Sequence, residues 1–212
     1  IATIISIFML PLLSNAQEEI IIIETFRKNA PERFDAPKTP SFTLVSKSGK
    51  YAMGIGGYVK GTVSMDFNGA INNAAYFTTS AIPVNPLPGN DKLLQYNVNQ
   101  SNLSFNFVSL ADKKSKFGAY INMNFSGNNY TPYIEDAYIT YGGLLMGRTT
   151  SIFTDAAAIP PTIDSEGPNG LTYKTNTVIN YRSSWGERKR FSTGVGLEMP
   201  STDFTVSDEQ SV

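Results

Sequence analysis

Between Thr154 and Gly170 the chain reads TDAAAIPPTIDSEGPNG, a stretch carrying Asp155, Asp164 and Glu166 and flanked by Arg148 and Arg182. Two chemistries use acids on a scaffold loop. A carboxylate pair can cleave glycosidic bonds, one member acting as acid and the other as base or nucleophile. Alternatively, acids facing bases across narrow water select ions, because field lines concentrate between low-dielectric walls. The first is disfavoured, since Trp185 is the only tryptophan and no aromatic platform for a sugar is available. No enzymatic activity is expected. The second fits the neighbouring residues. Pro160 and Pro161 stiffen the segment, and Ala156 to Ala158 can pack closely on a wall. Gly167, Asn169 and Gly170 then turn the chain back, the glycines through positions suited to positive φ. Lys60, Arg148 and Arg182 are the bases expected to point inward as an anion-binding constriction. Asp155, Asp164 and Glu166 are expected to oppose them or to anchor the inward-folded loop.

Other chemistries are excluded by composition. The chain has no cysteine and no histidine, which removes disulfides, Cys/His metal sites and any thiol or imidazole catalysis. No metal and no cofactor is expected. GIGGYVKGT lacks the lysine that a phosphate-binding P-loop needs after its last glycine, since Thr62 follows Gly61. It also lacks the third glycine of a dinucleotide fingerprint, where Val59 stands. Asn-x-Ser/Thr triplets such as those at Asn99, Asn124 and Asn129 match chance expectation in an Asn-rich chain. A net charge of −1 argues against a nucleic-acid partner.

These residues need elements to hold them. Of the 212 residues, 17% are charged and 12% aromatic, a profile in which neutral polar groups do most of the wetting. Residues 1–16 read as a signal peptide entered after its basic start: an apolar run from Ile1 to Leu13, then Ser14-Asn15-Ala16 before Gln17. Residues 17–49, charged and then Pro-rich, read as a periplasmic extension or linker. From residue 50 the pattern becomes strand-like, with apolar and polar residues alternating. Val59, Gly61, Val63, Met65 and Phe67 share one side; so do Leu103, Phe105 and Phe107, then Phe117, Ala119, Ile121, Met123 and Phe125. EDAYITYGGLLMGRT reads as two strands joined at Gly142-Gly143, and NTVINYRSS and FSTGVGLEM follow the loop.

Several of these strands have the length of a tilted membrane strand, about 9–11 residues. Aromatics fall near their ends, as the girdles of an outer-membrane barrel require. Long and short connections alternate. The fold expected is therefore all-β, a transmembrane antiparallel β-barrel of which about seven strands lie in this chain. An even strand count and a hollow lumen are expected of such barrels, so residues 50–212 read as the N-terminal part of a larger one.

With the pattern assembled, the stretch from Asp136 to Thr172 resembles the DcaP-like outer-membrane porins. The shared features are the Ala137-Tyr138 pair, the Gly147-Arg148 step, Phe153-Thr154-Asp155, and the block from Pro161 to Gly170. The opening from Gly56 to Phe67 also fits that family's first strand. This resemblance implies a sixteen-stranded homotrimeric channel in the outer membrane of a Gram-negative cell, passing small anionic solutes such as dicarboxylates and contacting outer-membrane lipid. The chain departs from the family pattern in its short EEIIIIETF, where a longer trimerising segment is expected, and at Arg148, a position that is often Gln. Two other readings compete: a phosphate-selective porin, and a soluble exported β-sandwich that binds glycans.

Overall fold

The structure, a computed structural model, describes residues 20–33, 36–67, 69, 71, 76–77, 79, 82, 92–110, 117–156, 158–162, 165–168, 170–186 and 190–200. Residues 20–29 are helical, here called α1. Among the described residues, ten strands follow: β1 (Phe42–Val45), β2 (Tyr51–Tyr58), β3 (Thr62–Asp66), β4 (Leu93–Asn97), β5 (Asn102–Ser109), β6 (Gly118–Asn124), β7 (Tyr133–Tyr141), β8 (Leu144–Thr150), β9 (Thr175–Trp185) and β10 (Phe191–Met199). Eight of them form one open antiparallel sheet in the order β1-β2-β5-β6-β7-β8-β9-β10, while β3 and β4 pair as a separate ribbon. The chain thus meanders: apart from the β3–β4 ribbon, which intervenes in sequence between β2 and β5, each strand lies beside its predecessor.

Two strands lie outside the sequence reading. β1 is only four residues long, too short for alternation to register. β4 pairs with β3 inside the stretch read as one long loop. The single strand expected across Val59 to Phe67 is instead broken between β2 and β3. The backbone of Lys60 there donates its N–H to Ser101 Oγ at 3.1 Å.

The connections sort by end. Close turns join β1 to β2, β7 to β8 and β9 to β10 at one end of the sheet, and residues 110–117 join β5 to β6 there. Gly142, at φ 62, makes the two-residue turn expected between β7 and β8. The connections from β2 to β5, which include β3 and β4, and from β8 to β9 leave the sheet from the other end. Aromatics cluster at the close-turn end: Tyr51 stacks on Phe107 at 5.8 Å, and Trp185 stacks on Phe191 at 4.9 Å.

The two faces of the sheet are unlike. One rung runs across all eight strands as Leu44, Met53, Phe107, Ala119, Ile139, Met146, Ile179 and Leu197, each paired with the next. Every member is apolar. Yet this face is open: Ile139 is 49% exposed, Ile179 46% and Leu197 77%. The opposite face carries Asn102, Ser104, Asn106, Asn122, Asn124, Asp136, Thr149 and Asn176, all buried. Burial is therefore inverted relative to a water-soluble sheet, which hides its apolar row.

Residues 20–33 and 36–40 cover much of the polar face. Phe26 of α1 is fully buried against Ala52 and Val108, with Ile22 and Leu110 beside it. Burying such a ring is worth about 1.5–3 kcal/mol. Ala30 packs on Tyr120 and Tyr138, whose rings stack at 5.5 Å, with Leu145 alongside. The segment read from sequence as an extension or linker thus contains a helix packed on the sheet. Its apolar run is divided: Ile22 packs inward, whereas Ile20 and Ile21 stay exposed.

Candidate functional site

A fault in strand register builds the centre of the polar face. β6 and β7 pair Asn122 with Asp136 but Met123 with Ile134, so the register slips by one residue. Strict alternation would send Glu135 and Asp136 to opposite faces. The bulge turns both carboxylates to the same one. Asp136 is fully buried and accepts hydrogen bonds from Thr149 Oγ1 at 2.7 Å and Asn122 Nδ2 at 3.3 Å. Glu135 accepts from Asn122 at 3.1 Å and from Asn124 at 2.7 Å.

Into this pair reaches Arg33, just beyond α1. Its guanidinium lies 2.9 Å from Glu135 and 3.2 Å from Asp136, with its side chain 4% exposed. It also donates to the Tyr173 hydroxyl. A buried ion is tolerable only when paired and hydrogen-bonded on most sides, and here the carboxylates themselves are held by amides of β6. A second polar anchor is Asn29. Its amide donates to Asn106 Oδ1 at 2.7 Å, its carboxamide oxygen accepts from Thr140 at 2.6 Å, and its backbone carbonyl accepts from Tyr138 at 2.6 Å. Asn106 in turn donates to the carbonyl of Phe26 at 2.9 Å.

The wall leaves room for this segment by omitting side chains. A Cβ on Gly54 would stand 2.5 Å from Pro40 Cγ, and one on Gly118 would stand 2.6 Å from Asn29 Cγ. Neither distance is tolerable for real atoms.

Two cavities flank Arg33, which lines both. The larger, about 920 Å³, is bounded by α1, the polar face of β7 to β9 and the start of the β8–β9 loop. Its charged lining comprises Arg27, Lys28, Arg33, Lys38 and Arg182 against Glu24, Glu32 and Asp155, an excess of bases. The smaller, about 770 Å³, is lined by Arg33, Lys60, Glu135 and Glu166 among neutral groups that include Tyr58, Tyr76, Tyr133 and Tyr173. Burial raises the Tyr76 phenol above its ordinary value, with a hydrogen bond to Gln100 acting the other way. It stays a neutral hydroxyl.

The residues singled out from sequence divide among these places. Arg182 and Asp155 share the larger cavity, while Lys60, Glu166 and Gly167 border the smaller one. The loop itself lies over the polar face, because Asp155, Ala156, Ile159, Thr162 and Ser165 line one cavity or the other. Gly167 and Gly170 turn at φ 77 and 80. Pro160 and Pro161 sit exposed between the two ends of the loop. Asp164 and Asn169 lie outside the described residues.

Arg148 requires a correction. It pairs with Ala137 on one side and Thr177 on the other, on the same register line as Ile121 and Ile55. That line belongs to the apolar face. Gly147 and Thr149, its neighbours, face the polar side; Thr149 bonds Asp136 there. The Arg148 stem runs toward the end of the strand, where its guanidinium bonds the Ile134 carbonyl at 3.2 Å and the Tyr133 hydroxyl at 2.8 Å, 5.7 Å from the Tyr133 ring centre. This is the posture of a long cation that escapes an apolar surface by reaching for its polar margin.

Sequence reasoning passed over the residues that bind the site together. Glu198, on the polar face of β10, accepts from Ser151 Oγ at 3.0 Å, from the Ile152 N–H at 2.5 Å and from Asn176 Nδ2 at 2.7 Å. It fixes the first residues of the loop. Its signal was present, a lone acid among small residues on the polar row of FSTGVGLEM. Arg33 had none, being one charge among several in a Pro-rich run.

Neither a family model nor a curated protein sequence matches the chain. Among solved structures, its fold is similar to the crystal structure of the outer membrane channel DcaP of Acinetobacter baumannii, with a TM-score of 0.64 and 22% sequence identity. The likeness covers 78% of this chain and 46% of that one, so this chain matches slightly less than half the length of that channel. At such identity the relationship is one of fold.

Proposed function

We propose that this chain forms part of an outer-membrane β-barrel porin, a passive diffusion channel for small anionic solutes such as dicarboxylates. One observation carries the reading. An apolar rung eight strands wide is left open while the polar face is covered. A water-soluble protein would hide the first; a barrel wall in lipid presents it and turns the polar row toward a hollow interior. The fold shared with an outer membrane channel supports the same reading. The anion preference rests on the excess of bases around the larger cavity, with Arg182 as the contributor from a strand, and on Lys60, which borders the smaller cavity from the β2–β3 break. A water-filled passage lined this way raises the local concentration of anions.

In this reading the barrel has sixteen strands, assembles as a homotrimer, and is reached through signal-peptide export. The β8–β9 loop narrows the lumen, held by Glu198 at its start and by Asp155 and Glu166 toward the cavities.

The experiment is twofold. The protein should need detergent for extraction from membranes and should migrate faster on a gel before heating than after. Reconstituted in a planar bilayer under a salt gradient, it should give a reversal potential of anion-preferring sign. A monodisperse preparation in plain buffer, with no current in the bilayer, would end the porin reading.

A further inference from the structure

The segment 20–40 does more than cover the wall: it supplies most of the charge that faces the space beyond it. Of the bases lining the larger cavity, Arg27, Lys28, Arg33 and Lys38 belong to this segment, and Arg182 alone comes from a strand. Arg27, Lys28 and Lys38 are exposed toward that space, whereas Arg33 is buried on Glu135 and Asp136. The division of labour is physical. Exposed, hydrated bases can meet a passing anion, while a base sunk in a carboxylate pair cannot and acts instead as a fastening.

We propose that residues 20–40 form an internal plug whose exposed bases, rather than the loop alone, set the charge preference of the channel, and that Arg33 on Glu135 and Asp136 is the latch holding the plug against the wall. This rests on the porin reading. The bulge that turns Glu135 and Asp136 together, and the glycines at positions 54 and 118, are features of the sheet that this docking uses. Polar fastening suits a part that moves. Its polar groups can exchange protein partners for water when the plug leaves, and the apolar contacts that add to them come from three residues of the segment, Ile22, Phe26 and Ala30.

The chain has no cysteine, so a pair introduced as Asn29→Cys with Gly118→Cys is unique. Asn29 Cγ lies 2.6 Å from the Cβ position of residue 118, which brings two sulfurs within reach of one bond. In the full-length protein in bilayers, the oxidised pair should show a single, steady conductance. The reduced pair and Arg33→Ala should show excursions to a larger conductance, on the order of 100-fold more frequent in Arg33→Ala than in the unsubstituted protein. Arg27→Gln with Lys28→Gln should shift the reversal potential toward cations by more than Arg182→Gln does. Failure of the disulfide to form in intact membranes would overturn the docking. Unchanged excursion frequency in Arg33→Ala, or an unchanged reversal potential in the double Gln variant, would overturn the latch or the charge role. A protein that carries no current in any form would instead sink the porin reading itself.

Discussion

Ile179→Arg separates a lipid-facing sheet from a water-facing one. Ile179 lies mid-strand in β9, between Met146 and Leu197 on the apolar rung, and is 46% exposed. If that exposure is to hydrocarbon, an arginine there costs about 2–4 kcal/mol, the range for the midplane of a membrane barrel. At the middle of that range the folded-to-unfolded ratio falls by roughly 100-fold. If the exposure is to water, the same change is a surface substitution worth no more than about 0.5 kcal/mol either way. Asn180→Arg, one residue along and on the polar face, is the internal control and should cost little in either case. The assay is urea-dependent folding into lipid vesicles, followed by gel mobility without heating. The reasoning is refuted if Ile179→Arg folds as readily as the unsubstituted chain, or if Asn180→Arg is equally damaging.

Other outcomes follow from the corrected geometry. Arg182→Ala should reduce anion preference in a salt-gradient bilayer recording, whereas Arg148→Ala should leave it unchanged, because Arg148 sits on the apolar side of β8. Glu198→Gln keeps the shape but weakens two hydrogen bonds at the start of the β8–β9 loop and one to Asn176 of β9. Charged acceptors are worth about 1.5–3 kcal/mol against about 1 for neutral ones, and part of that is lost to solvent screening, so proteolysis within 151–174 should quicken by up to roughly tenfold. Gly118→Val should loosen α1, since the new side chain would occupy the space of the Asn29 carboxamide. Hydrogen exchange over residues 20–29 should speed up while the sheet amides keep their protection.

Much of the sheet was legible because alternation is a local signal. β5, β6, β9 and β10 each place their apolar residues where a period of two puts them, and the Gly142-Gly143 turn between β7 and β8 follows from the pair itself. The misreadings have separate physical origins. Parity propagates along a strand only while pairing stays regular, and the slip at Glu135 and Asp136 cannot be seen without the partner strand. Strand parity or its position in the resemblance places Arg148 inward; its reach along Tyr133 depends on a neighbour fifteen residues away. α1 was hidden for another reason. Its apolar contacts are few, Ile22, Phe26 and Ala30, and its remaining partners are polar groups at Asn106, Tyr138 and Thr140, so a run of four isoleucines flanked by charges gives little helical period to read.

The account stands or falls on what touches the apolar face, and a single-cysteine scan along β9 measures that directly. A nitroxide attached in turn at positions 176 to 181 would be challenged with oxygen, which enters lipid, and with a nickel chelate, which stays in water. The expected pattern has a period of two: positions 177, 179 and 181 relax with oxygen, and positions 176, 178 and 180 do not. Equal access of the nickel chelate to positions 179 and 181 would contradict it.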